Sequence, residues 1–338
     1  MNQDTASRIA AFSDDRRNYA CVSRFWNIVF SHDLVWESSL FGDFALRSEK
    51  RAPVRLHSRT LELKTFASFR ETWQAWKQLE NDLQDRIKIG EIWLRIVNTW
   101  QTIRNELKSL NCLENVSLLE GFDVNLKDTF IEKDVMLSET IRAIWNTHNG
   151  QNLNHTVGLF GLTSFYNRTR TLHLLPFNRV SFTSDQSFIF GQGNISEFMA
   201  IHEKRVLIGP HRNLFQSNSS DNCLLNLFEY YAQDLSENKR YVFKCPSRSL
   251  LSSFPLKGPR TSCAITNGIR VQAAFTFIPD ETNPLWVYQL RIDTINSERN
   301  WRGKVVLLRR HWVLTDPTQT DRIIVDGEGE YLVMSDIC

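Results

Sequence analysis

Neither sign of charge dominates this chain: 40 lysines and arginines stand against 38 aspartates and glutamates in 338 residues, a net of +2. No global field draws such a protein to nucleic acid, so its partners are selected by shape. No apolar run approaches the roughly 18 residues that a membrane span needs, and the first residues lack the apolar core of a signal peptide. Six cysteines, at 21, 112, 223, 245, 263 and 338, include no Cys-x-x-Cys pair. Free thiols in a reducing compartment, cytoplasmic or nuclear, are therefore expected.

Motifs for catalysis and cofactors are missing too. There is no Gly-x-Ser-x-Gly elbow, P-loop or His-Glu-x-x-His. The eight histidines show no metal-ligand spacing, His148 and His155 lying across a loop. The Gly-x-Gly triplets at 191–193 and 327–329 lack the preceding strand and following helix of a phosphate cradle. No catalytic residue, cofactor or metal is expected.

What the chain does have is material for cores. Hydrophobic residues make up 42%, with ten tryptophans and 22 phenylalanines, enough to exclude wholesale disorder. Its length predicts two or three domains. Residues 7–45 read as short helices, with Ile9, Phe12, Val22, Phe25, Trp26 and Val29 near helical spacing. A bundle this small has too little interior to stand alone. Its apolar stripe is covered either by another polypeptide or by the chain's own later helices.

A helical tract from Phe66 to Leu110 breaks near Lys88-Ile89-Gly90. Its first stripe holds Phe66, Phe69, Trp73, Trp76, Leu83 and Ile87, interrupted by Glu80; its second holds Trp93, Ile96, Val97, Trp100, Ile103 and Leu107. The tract is either a rigid spacer or a hairpin packed on the next domain. The basic stretch of Arg47, Lys50, Arg51, Arg55, Arg59 and Lys64 reads as a solvated linker face in preference to a nuclear-import or anion-binding segment.

Further on, Ser138 is placed to cap a helix that turns Ile141, Ile144 and Trp145 inward and ends at Gly150. Strands are predicted at 157–162, 172–175, 187–190 and 205–208, with a helix at 223–235, a pattern that suits an α+β domain. The Ser- and Pro-rich stretch Pro246–Cys263 reads as a linker. Beyond it, Ile269, Val271, Ala273, Phe275 and Phe277 alternate with polar or small residues, as do Trp286, Tyr288, Leu290 and Ile292. This is period two with one buried face, and Val305–Leu314 adds another strand.

Three segments carry a resemblance to a known family. Cys21–Val29 followed by His32–Trp36 resembles the second half of an F-box. Trp145–Gly161, holding His148-Asn149-Gly150-Gln151 and Val157-Gly158-Leu159-Phe160-Gly161, is similar to the signature of SUKH (Smi/Knr-type) domains. Val305–Asp316, with Arg310-His311-Trp312 and Thr315-Asp316, resembles the signature strand of ApaG domains. The order is that of F-box proteins carrying SUKH and ApaG domains.

The resemblance implies a multidomain α+β protein: an F-box-like helical domain at 1–50, a helical linker at 51–92, a SUKH-like α+β domain at 93–245, a linker at 246–262, and a partial Ig-like β-sandwich of ApaG type at 263–338. It also implies the substrate-recognition subunit of an SCF-type E3 ubiquitin ligase. A Skp-type adaptor and cullin dock at one end, and the SUKH and ApaG domains hold a target protein for ubiquitination and degradation. Ile9, Phe12, Val22, Phe25, Trp26 and Leu34 are expected to form the adaptor face, while Trp36 closes the small bundle. The rivals are a non-ligase binding scaffold and a small-ligand sensor using the ApaG turn, with Arg309, Arg310 and His311 as groups to pair with a phosphate-containing ligand. Strand alternation puts Arg309 and His311 on one side and Arg310 and Trp312 on the other, which argues against one pocket.

The chain departs from the family at both ends. No Leu-Pro turn precedes Ile9, and the ApaG turn Gly327-Glu328-Gly329 continues as Glu330-Tyr331-Leu332 without the usual closing strands. A truncated sandwich is expected, with an exposed apolar face and an unpaired edge open to a partner's strand.

Overall fold

The computed structural model describes residues 24–56, 60–83, 86–117, 138–151, 157–165, 168–182, 188–193, 198–202, 205–208, 212–216, 223–237, 239–245, 248–278, 285–295, 305–315 and 322–333. Helices and antiparallel sheets alternate along it, a mixed α+β architecture. Helices α1 (Arg24–Ser31) and α2 (Asp33–Phe44) come first, then a hairpin of β1 (Arg51–Arg55) and β2 (Leu61–Thr65). Next are α3 (Phe69–Leu83), α4 (Gly90–Ser109), the short α5 (Leu113–Ser117) and α6 (Glu139–Thr147).

That hairpin stands where a helical linker is expected over 51–92, and it is wedged between α3 and α4. Its edges are satisfied by side chains rather than by further strands. Trp76 Nε1 donates to Arg51 O at 3.2 Å, Arg104 Nη2 to Leu61 O at 3.1 Å, and Leu63 N to Gln101 Oε1 at 3.3 Å. Burial pulls the Arg104 guanidinium below its ordinary pKa. The basic stretch around the hairpin is largely spoken for by the chain itself: Lys50 reaches Asp33 at 3.2 Å, Arg51 reaches Glu49 at 2.9 Å, and Arg47 lies over the Phe41 ring.

Both predicted stripes turn inward. In the first Trp73, Trp76, Leu83 and Ile87 are buried and Phe66 and Phe69 half-buried, with Leu79, which the predicted stripe omits, buried beside them; in the second Trp93, Ile96, Val97, Trp100, Ile103 and Leu107 are all buried. Glu80, which interrupts the first, has a role of its own: its Oε1 accepts from Ile87 N at 2.9 Å and so closes the connection between α3 and α4. The tract is no free spacer, because α4 packs on the hairpin on one side and on α6 and a later helix on the other. The N-terminus of α4 is capped in trans. Glu139 Oε1 accepts from Lys88 N at 2.8 Å, Ile89 N at 2.9 Å and Trp93 Nε1 at 3.2 Å.

The large sheet contains β3 (Leu162–Phe165), β4 (Arg168–Leu174), β5 (Ser181–Phe182), β6 (Phe188–Gly193), β7 (Phe198–His202), β8 (Arg205–Ile208), β9 (Arg212–Gln216), β10 (Arg240–Cys245) and β11 (Arg248–Pro255), with α7 (Cys223–Ser236) inserted before β10. Its order is β10-β11-β3-β4-β6-β7-β8-β9, with β5 beside β6. Every pairing is antiparallel except β11 with β3, where Ser252 lies opposite Leu162. The stretch expected as a linker at 246–262 thus supplies an interior strand, next to the edge strand β10 and held by the buried Leu250, Leu251 and Phe254 among its serines. The predicted strand at 157–162 is a buried turn up to Gly161, whose N–H donates to Gly158 O at 3.2 Å.

Beyond lie a three-stranded meander, β12 (Thr261–Thr266), β13 (Ile269–Ile278) and β14 (Leu285–Thr294), and a two-stranded ribbon of β15 (Val305–Thr315) and β16 (Arg322–Val333). Asn267 and Gly268, at φ 50° and 80°, make the two-residue turn joining β12 to β13. The strands alternate as expected, but the covered face is the other one. Ala274 and Thr276 are buried on the side of β13 that meets β11, whereas Val271, Phe275 and Tyr288 are 38%, 41% and 59% exposed. Gly327-Glu328-Gly329 is not a turn. It lies within β16, beside a bulge where the register against β15 shifts between Leu307 and Arg309.

One apolar cluster runs from Val29 to Leu251, so the N-terminal helices share a core with the large sheet. Trp76→Ala is expected to lower stability by about 3–5 kcal/mol. Helical circular dichroism and tryptophan fluorescence should move together in urea, as one transition requires. Separate melting of the N-terminal helices would contradict the shared core.

Candidate functional site

Helices α1 and α2 form a two-sided unit. On the inner side Val29, Phe30, Val35, Trp36, Leu40 and Phe44 are buried. The Trp36 indole donates to Phe30 O at 2.6 Å and its ring lies 5.1 Å from that of Trp73, so Trp36 closes this unit against α3, as the sequence predicts. Two aspartates complete the attachment. Asp33 Oδ1 accepts from Phe69 N at 2.8 Å at the start of α3, and Asp43 Oδ2 accepts from Trp73 Nε1 at 2.7 Å.

The outer side is apolar and open. Ile28, Leu34 and Phe41 are 51%, 58% and 47% exposed, and Leu34 and Phe41 stand seven residues apart on one face of α2. Of the expected adaptor face, Leu34 is here. Phe25 and Trp26 fall on the backbone of α1; Ile9, Phe12 and Val22 lie outside the described residues. Ile28 and Phe41 were not anticipated, although the seven-residue spacing of Leu34 and Phe41 is the signal that reveals the latter.

The His-Asn-Gly-Gln segment is a buried brace rather than an open site. Ser138 Oγ accepts from Ile141 N at the start of α6, as predicted, and Gly150, at φ 73°, turns the chain after its end. A Cβ at Gly150 would collide with the backbone of Leu175 and Pro176. Gln151 Oε1 then accepts from Leu159 N at 2.7 Å and Leu174 N at 3.2 Å, and Asn149 Oδ1 accepts from Phe177 N at 2.9 Å. Trp145 Nε1 donates to Leu175 O at 2.9 Å, and the His148 ring meets the edge of Trp100 at 4.7 Å. The turn at Gly158-Leu159 also receives Asn115 Nδ2 on Gly158 O at 2.9 Å and the Tyr231 hydroxyl on Leu159 O.

Burial pushes the Tyr231 hydroxyl well above its ordinary pKa and the Cys112 thiol from 9.0 up to about 11. Neither group is poised as a nucleophile or base near neutral pH. In the ribbon, register sets Arg309 opposite Glu328, Arg310 opposite Gly327, His311 opposite Asp326 and Trp312 opposite Val325. No family model matches the chain, and no curated protein matches it.

Gln151→Ala removes the acceptor of two buried N–H groups and is expected to lower stability by more than about 2 kcal/mol, read as a fall in urea midpoint. The Cys112 thiol gives a separate expectation in alkali. Below pH 9 it is protonated in both states and stability is unaffected. As pH rises from 9 towards 11 the unfolded chain loses this proton while the folded one keeps it, so stability falls. In Cys112→Ala the part of this fall that begins near pH 9 should disappear.

Proposed function

We propose that this chain is the substrate receptor of an SCF-type ubiquitin ligase, with α1 and α2 as the second half of an F-box that docks a Skp-type adaptor and, through it, a cullin. One observation carries the reading: Ile28, Leu34 and Phe41 face outward on two helices whose other side is locked into the main core. A large-to-small change at an exposed position of this kind alters stability by less than about 0.5 kcal/mol, so fold stability does not account for these side chains. Docking onto a partner's apolar groove does. The reading also assigns to the adaptor Phe25 and Trp26 in the sequence of α1 and, earlier in the chain, Ile9, Phe12 and Val22.

The α+β body from α4 to β11 corresponds to a SUKH domain and the meander with the ribbon to an ApaG-type sandwich. Together they hold a target protein for ubiquitination. The chain performs no bond chemistry itself; it raises the effective concentration of the target lysine near the conjugating enzyme. No helix among the described residues is long and apolar enough to cross a membrane. We assign the protein to the cytoplasm or nucleus on its thiols and its proposed partners.

Co-expression with a Skp-type adaptor and a cullin tests the proposal. The wild-type chain should recover both. Leu34→Asp and Phe41→Asp should each reduce adaptor recovery at least about tenfold, since losing one buried apolar side chain at an interface costs about 1.5–3 kcal/mol, while the thermal transition is unchanged. Full recovery with both variants, or none with the wild type, would overturn the reading in favour of a scaffold outside the ligase.

A further inference from the structure

We propose that β12 is a self-pairing edge, through which two copies of this chain associate by antiparallel strand addition about a two-fold axis at Cys263. The inference is independent of the ligase reading. Strand β12 stands at the end of its sheet and, among the described residues, pairs with β13 alone. Ser262 to Thr266 are all exposed, Ile265 to 64%, so the strand projects with both faces open.

The other sheet edges differ from it in carrying charge or proline. Strands β1 and β2 carry Arg51, Pro53, Arg55, Glu62 and Lys64; β9 carries Arg212; β10 carries Arg240 and Lys244; β14 carries Arg291 and Asp293. The ribbon is charged on both strands. Charge and proline are what keep exposed edges from pairing with other chains. Apart from the two-residue β5, β12 is the one edge strand among the described residues with neither: Thr261-Ser262-Cys263-Ala264-Ile265-Thr266.

The absence of charge also selects the occupant. A charged peptide finds nothing on this strand to pair with, whereas a second copy meets no like charge. With the axis at Cys263, Thr261 lies opposite Ile265 of the second copy, Ser262 opposite its Ala264, and Cys263 opposite itself. Branched residues then meet branched and small meet small, and every directly opposed pair shares a face. Facing Cα atoms in such a pair lie about 4.5–5.5 Å apart, within the range that a disulfide spans. Cys263 therefore reports the register; the backbone of the edge makes the contact.

Sedimentation of the full chain over a concentration series tests this. A reversible monomer–dimer equilibrium is expected, with a dissociation constant of about micromolar or weaker, because one strand pair buries less than the roughly 1,200 Å² of a standard interface. The combined Ser262→Lys and Ala264→Lys change, at two exposed positions, sets like charges opposite one another across the axis and should abolish the dimer with the melting temperature unaltered. Diamide, which takes up two electrons and two protons as two thiols join, should give a covalent dimer from the wild type. Cys263→Ser should lose the covalent species yet still sediment as a dimer. A wild type that stays monomeric, a dimer that survives the paired lysines, or a dimer whose Cys263 thiols do not couple would each overturn the proposal.

Discussion

A single side-chain oxygen, Gln151 Oε1, accepts backbone hydrogen bonds from two segments that the chain reaches only later, at Leu159 and Leu174. It sits at the end of α6 and is fully buried, so the bonds form away from competing water. Around this point the Gly158-Leu159 turn takes further bonds from Asn115 after α4 and Tyr231 on α7. Helices and sheet are thus registered by polar contacts, and the aromatic packing of Trp100, His148 and Phe228 follows from that placement. Apolar burial alone does not specify which turn lies on which strand; directional bonds do.

The same division of labour holds at the N-terminal end. Trp36, Asp33 and Asp43 attach α1 and α2 to α3 by a ring contact and two directional hydrogen bonds, while Ile28, Leu34 and Phe41 on the opposite side stay exposed, Phe41 under the Arg47 guanidinium. The proposed docking face is thereby tied to the large sheet through the common core. Such a tie suits the proposed substrate receptor, because the distance between adaptor and target would then be set by the protein rather than by a tether.

Much of this was legible in the sequence where periodicity is strong. The tryptophan stripes of α3 and α4, the break before Gly90, the Ser138 cap, the helix at 223–235 and the alternation of β13 and β14 were all readable. Where the signal was missed, the cause is local. Hairpin β1–β2 pairs short strands rich in Arg and Lys that are covered by side chains from distant helices, which no window of sequence contains. In β11 the apolar Leu250, Leu251 and Phe254 are diluted by serine and proline. Helix α2 ends at Ala45 with φ 55°, a left-handed cap without the glycine that would announce it. The turn between β12 and β13 did carry its signal, Asn267-Gly268. At the proposed docking face, spacing along α2 indicates which residues align, but only the packing of α2 on α3 determines which side is outward.

The parallel match of β11 with β3 has a bearing on how the molecule is made. Leu162 leaves the ribosome long before Ser252, its neighbour across the sheet, so the flank of β3 that β11 will occupy stays bare while all of α7 and β10 are being synthesised. During that interval the nascent polypeptide offers an open margin to any extended segment nearby, and only the arrival of Arg248–Pro255 seals it. Maturation of the sheet is therefore a late event in translation, and a cleavage placed between Cys245 and Arg248 on compositional grounds would strip out an interior strand instead of separating two domains.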